Sequence, residues 1–308
     1  MADAVRIGLI GCGRWGKNIL RDLLLLGCDV HVAEHREKNR ALALDAGASS
    51  VCYDQSELPN EMDGYVIAVP TARHYETLLT LENSVAPIFI EKPMVPSLEQ
   101  AEDIAQRMGD RVFVMHKWRY HPGIEKIAEL RASNKYGKLE HLRTRRLQWM
   151  QPHKDVDAFW ILAPHDVSII MHILGDLPKI KAVQAMVTDN DIHALTAFLG
   201  NYPSVEMSVS DIHPKTERLV SAKFERAVVS MTDPCDDFLH IRYLDADGTP
   251  GEEVSKIQIS KEFPLIREIR SFVDYISGGP KPFSCVADEI KMMQVLHSLR
   301  TEALASAG

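Results

Sequence analysis

Short apolar runs alternate with amphipathic stretches through the first third of the chain. Residues 5–10 are apolar enough for a buried strand, and 15–26 carry Ile19, Leu23 and Leu26 at helical spacing. The pairing repeats as a strand at 30–34 before a helix at 37–46, and a buried run at 65–69 before a helical 71–81. A strand at 88–90 then precedes a helix that Ser97 is placed to cap, and 112–115 closes the series. Strands that alternate with helices pair in parallel, so this third predicts a doubly wound parallel sheet, a Rossmann-type α/β domain. After Pro122 the rhythm changes. A helix over 123–130 leads into a long alternating stretch at 139–150 and a helix at 159–174. Strand-like runs follow at 180–187, 195–199, 205–209, 219–224, 227–231 and 239–243. Successive strands with few helices between them favour an antiparallel sheet. Helical patterns at 265–277 and 286–305 end the chain. The reading is two domains, this α/β domain at 1–121 and an α+β domain at 122–308.

Composition adds boundaries to this picture. At 308 residues the chain is long enough for two ordinary cores, and a hydrophobic fraction of 45% with 25% charged residues describes a soluble globular protein. A net charge of −8 gives no reason to expect nucleic acid or an anionic membrane surface as partner. No run is long and apolar enough to span a bilayer, and no signal peptide precedes the first strand, so the expected compartment is cytoplasm. Cys12, Cys28, Cys52, Cys235 and Cys285 are odd in number and lack a CxxC pair, which reads as reduced thiols. His31, His116 and His193 have no partner at metal-ligand spacing, and no metal is expected.

Chemistry enters with Gly11-Cys12-Gly13-Arg14-Trp15-Gly16, between the first strand and the first helix. Glycines at these positions allow a tight turn, let the backbone approach a pyrophosphate and let the helix pack on its strand. The diphosphate then meets the positive end of that helix. Glu34, at the end of the second strand, is placed for the adenosine ribose hydroxyls, and its carboxylate repels a 2′-phosphate. NAD is therefore the expected cofactor. NADP is the alternative, because Arg36, beside His35, offers a clamp for that phosphate if Glu34 turns away. Glu91-Lys92-Pro93 closes the apolar strand at 88–90, so Lys92 points into the crevice at the carboxyl end of a parallel sheet.

Together these residues resemble the glucose–fructose oxidoreductase/inositol dehydrogenase/MocA (Gfo/Idh/MocA) family. The likeness takes in the glycine loop, Val69-Pro70-Thr71 with His74, Glu91-Lys92-Pro93, Arg119-Tyr120-His121-Pro122, and Trp160 through His165-Asp166. The resemblance implies a Rossmann domain followed by an α+β domain with an open-faced, mostly antiparallel sheet that mediates homodimers or homotetramers. It implies cofactor contacts from Gly11, Gly13, Arg14, Trp15, Gly16, Glu34, His35, Arg36, Pro70, Thr71, His74, Glu91 and Lys92. It also implies a small, sugar-like substrate lying between nicotinamide and the sheet. The reaction implied interconverts a secondary alcohol and a ketone on a sugar, cyclitol or nucleotide-linked sugar. Lys92 and His165 match the family's catalytic pair: His165 as general acid/base near neutral pH, Lys92 on the same oxygen. Arg119, Trp160 and His153 are substrate candidates.

One departure stands out. Many members carry an aspartate four residues before the histidine, and here that position is Ile161, with Ala163 in place of a glycine. Asp155 and Asp157 are nearby carboxylates. The substitution leaves two other readings open, a non-catalytic dinucleotide sensor on the same fold and a reductase of a non-sugar substrate.

Overall fold

The computed structural model describes residues 4–149 and 157–306. It divides into two compact units, one of Met1–Lys117 with Phe263–Lys291, the other of Trp118–Glu262 with Met292–Gly308.

In the first unit the pattern read from the sequence becomes β1 (Arg6–Ile10), α1 (Gly16–Leu25), β2 (Asp29–Ala33), α2 (Glu37–Asp45), β3 (Ser50–Cys52), β4 (Gly64–Ile67), α3 (His74–Thr80), β5 (Ile88–Glu91), α4 (Leu98–Met108) and β6 (Val112–Met115). The strands form one parallel sheet in the order β3-β2-β1-β4-β5-β6. The order reverses between β1 and β4, and a crevice opens at the carboxyl ends of the strands at such a reversal. Ser97 caps α4 by accepting the Gln100 N–H at 3.3 Å. β3 was missed by periodicity, because Ser50-Val51-Cys52 is too short to show an alternation.

The second unit holds α5 (Pro122–Ala132), β7 (Leu139–Trp149), α6 (Ala158–Leu174), β8 (Ile180–Thr188), β9 (Asp191–Leu199), β10 (Ser204–Ser210), β11 (Ile212–Phe224), β12 (Ala227–Met231), β13 (Phe238–Leu244) and β14 (Pro250–Gln258). Its eight strands run β14-β13-β12-β11-β7-β10-β9-β8, all neighbours antiparallel except β7 and β10. Leu142, Val205, Met207 and Val220 join Phe159, Ile169 and Ile170 of α6 in one core. The alternation along β7 therefore puts one face on α6 and leaves the other open.

Division into 1–121 and 122–308 needs correction at both ends. Helix α7 (Pro264–Ile276) returns to the first unit, where Leu265, Ile269, Phe272 and Val273 enter the core and Phe272 stacks on Phe89 at 5.0 Å. Helix α8 (Val286–Ser306) begins in the first unit and continues in the second. A hydrophobic helical stripe shows that a helix is buried, not what it is buried against. No helix among the described residues is long and apolar enough to cross a membrane.

Candidate functional site

The glycine loop forms the floor of a cavity of 490 Å³ in the first unit, lined by Gly11, Gly13, Arg14, Trp15, Glu34, His35, Arg36 and Pro70 among others. Gly11 has φ +94°, and a Cβ there would sit 2.8 Å from the Ala68 backbone, so only glycine lets β1 turn this closely past β4. At Gly13, just before α1, a Cβ would meet no atom within 4 Å, and its carbonyl accepts the Lys17 N–H of that helix. Open space against a helix N-terminus suits a diphosphate, and on this observation the residues fit a dinucleotide.

Glu34 is fixed rather than free to swing. Its Oε2 accepts the Cys12 N–H and its Oε1 accepts the Arg36 N–H, each at 2.9 Å. Burial pushes its carboxyl up, and those N–H groups, with the Asn39 side chain, pull it further the other way, so it sits below the usual glutamate range. Arg40 is committed too, donating to the Glu34 and His35 carbonyls at 2.8 Å. Tyr53, Gln55 and Arg73 also line the cavity, and sequence reading did not single them out. Tyr53 follows the overlooked β3, and 56% of it is exposed.

Gly16, Thr71, His74, Glu91 and Lys92 are not part of that lining. A Cβ on Gly16 would lie 2.3 Å from the Gly11 carbonyl oxygen, so this residue serves loop packing. Thr71 opens a single 3-10 turn, Thr71–Arg73. His74 lies inside the unit, 1% exposed, with Nδ1 2.9 Å from the Pro93 carbonyl and Nε2 2.9 Å from that of Val69. Burial lowers its pKa. The expected cofactor residue is thus enclosed between two loops, and a ring with a single N–H donates to one of these two carbonyls. Glu91 ends β5; burial raises its carboxyl to about 7, against the Lys92 ammonium and the Trp15 indole N–H, which draw it down. Trp15 in turn carries the Lys117 ammonium 4.8 Å above its ring. Lys92 follows directly, partly exposed at the carboxyl edge of the sheet.

The second unit carries His165. On α6 it is the one residue from Leu162 to Met171 that is not buried. Asp166 beside it is 1% exposed and ion-paired with Arg146 of β7, whose guanidinium lies 4.5 Å over the Trp118 ring. Trp118 meets the His165 ring at 6.4 Å, edge to face. Ile161, one turn earlier, is partly buried against the core. Asp157 does not replace the lost carboxylate. It caps α6 through the Trp160 N–H, accepts the Ile192 N–H and pairs with Arg300. Asp155 and His153 lie outside the described residues. Arg119 is 2% exposed and reaches the Met292 sulfur at 3.6 Å, while Trp160 packs on Phe159 and His297. Burial, with the Arg119 charge, pushes His172 down to about 4, which leaves it a neutral packing group.

Residues 5–116 match the model of an oxidoreductase family with an NAD-binding Rossmann fold, the Gfo/Idh/MocA family. The match takes in the parallel-sheet part of the chain and stops before the second unit. The match and the similar proteins below support an NAD(P)-dependent dehydrogenase built on an NAD-binding Rossmann fold. A similar curated protein is UDP-N-acetylglucosamine 3-dehydrogenase of Acidithiobacillus ferrooxidans, 24% identical over 91% of this chain and 91% of the relative. A solved structure of that enzyme from the same species covers 99% of this chain and 100% of its own, with TM-score 0.83 at 20% identity. A scyllo-inositol 2-dehydrogenase of Bacillus subtilis is 20% identical over 64% of this chain and 59% of its own length. Levoglucosan dehydrogenase, solved with NADH, shares the fold at TM-score 0.84 and 13% identity over 99% of this chain and 98% of its own.

Proposed function

We propose that this dehydrogenase interconverts a secondary alcohol and a ketone on a sugar, cyclitol or nucleotide-linked sugar. The observation that carries the reading is that both polar groups the chemistry needs are present and accessible. Lys92 follows the carboxyl end of β5, and His165 is the one partly exposed position between Leu162 and Met171 of α6. The UDP-N-acetylglucosamine 3-dehydrogenase similar over nine-tenths of the chain supports a nucleotide-linked sugar as the first substrate to try.

When bound, the dinucleotide supplies the hydride acceptor or donor. His165 takes the hydroxyl proton at a ring nitrogen in oxidation and returns it in reduction, a role suited to an imidazole near neutral pH. Lys92 donates a hydrogen bond to the same oxygen and stabilises its developing charge. Gly11 and Gly13 give the diphosphate its approach, and Glu34 receives the ribose hydroxyls. Both Glu34 oxygens are already held by backbone N–H groups, which supports NAD over NADP: the carboxylate stays where a 2′-phosphate would come.

The test is a nicotinamide absorbance assay on UDP-sugars, sugars and cyclitols with NAD(H) and NADP(H). Turnover is expected with at least one of them, falling about 10²–10⁴-fold in His165→Asn and Lys92→Ala while NADH affinity holds. Full turnover in either variant would remove that residue from the reaction. A homodimer or homotetramer through the open face of the second sheet is part of the same reading. Met186 and Phe198 are exposed apolar side chains on strands of that sheet. Light scattering is expected to give at least twice the chain mass, and a monomer would refute it.

A further inference from the structure

The peptide unit between Pro93 and Met94 is buried at its amide end, and both of its polar atoms go to side chains from other elements. Its carbonyl oxygen, on Pro93, lies 2.9 Å from Nδ1 of His74 on α3. Its N–H, on Met94, donates to Oε1 of Glu289 on α8 at 3.3 Å. The other Glu289 oxygen, Oε2, is 2.7 Å from Nε2 of His116, just past β6. Met94 is 0% exposed, and Glu289 and His116 are each 3% exposed. A carboxylate in such surroundings is costly unless donors surround it, and these N–H groups compensate it. All of these residues belong to the first unit.

The consequence falls on Lys92. A peptide plane whose N–H is held by Glu289 and whose carbonyl packs against His74 resists rotation, and Pro93, with its ring-fixed φ, transmits that orientation one residue back. His74 Nε2 lies 2.9 Å from the Val69 carbonyl, beside the loop that lines the cofactor cavity. We infer that Glu289, set by His116, is a positioning residue that fixes Lys92 by clamping the Pro93–Met94 peptide. The mechanism assigned above gives neither residue a task, and their separation from Met94 by 195 positions in the case of Glu289 hides the link from any local motif. The inference rests on the reading that Lys92 acts on the reacting oxygen.

The test reads Lys92 directly, without substrate. Competitive acetylation with acetic anhydride, followed across pH by mass spectrometry, gives the titration midpoint and rate of this one amine. In Glu289→Ala the Lys92 midpoint is expected to move by about half a pH unit or more, or its rate by about threefold. Glu289→Gln, which keeps a carbonyl oxygen for the Met94 N–H, is expected to restore it. NADH affinity should stay within about twofold in all variants. If Glu289→Ala does not fold, the apolar pair His116→Leu/Glu289→Met removes the acceptor without stranding a buried charge. Lys92 labelling unchanged in a folded variant lacking the acceptor would overturn the clamp. Full turnover in Lys92→Ala would instead remove the catalytic reading and leave the clamp intact.

Discussion

Glu91 shows how one residue can be legible in sequence and still behave unexpectedly. Its place beside Lys92 is plain from the motif, but its protonation depends on enclosure. Burial lifts its carboxyl from 4.5 to about 7 despite the neighbouring Lys92 ammonium. A raised carboxyl favours the folded state fully below the ordinary value, and that contribution is lost as pH rises through the folded one. The window is therefore roughly pH 4.5 to 7. Glu91→Gln keeps an acceptor for the Lys92 N–H, which lies 3.1 Å away. The variant is expected to melt with the wild type near pH 4.5 and to be more stable near pH 8.5, by on the order of 1–3 kcal/mol. Thermal unfolding at the two pH values checks this, and a gain of equal size at both would contradict the burial account. His74 makes the complementary point. The family resemblance implied cofactor contact, whereas both ring nitrogens face backbone carbonyls inside the unit.

At the scale of elements, the strands and helices follow from period and caps, while their partners do not. The alternation in β7 and the apolar stripe of α7 were both readable, but only packing decides that α7 lies against the parallel sheet. Gly64 of β4 marks the contact, since a Cβ there would come 2.5 Å from the Ile276 Cδ1 and 3.2 Å from the Phe272 ring. Gly64→Ala is expected to destabilise the protein by about 1–3 kcal/mol through overpacking. Chemical denaturation measures it. Relief of the loss by Ile276→Val, which removes the methyl at the clash, would tie the effect to this contact. β3 escaped notice because three residues carry no period, and Tyr53 escaped with it.

For the molecule as a whole, the first unit is discontinuous in sequence. Leu265, Ile269, Phe272 and Val273 each contribute roughly 1.5–3 kcal/mol of burial, together on the order of 6–12 kcal/mol. That is comparable to the whole stability of an ordinary domain, about 5–15 kcal/mol. A fragment of residues 1–121 is therefore expected to lose its sharp unfolding transition and to bind a hydrophobic dye. A fragment that unfolds cooperatively and binds NADH like the full chain would show that α7 is dispensable.

Sequence alone determined the parallel α/β domain and the glycine loop and put Glu34 and Lys92 at strand ends, because those signals are local: a period, a turn that needs glycine, a charge at a strand end. Tertiary structure decided the rest. It assigned α7 to the first core, enclosed His74, turned Asp157 into a tie, buried Arg119, and brought Glu289 to the Met94 amide. Each of these depends on which distant surface a residue meets, and hydrophobic pattern records burial without recording the partner.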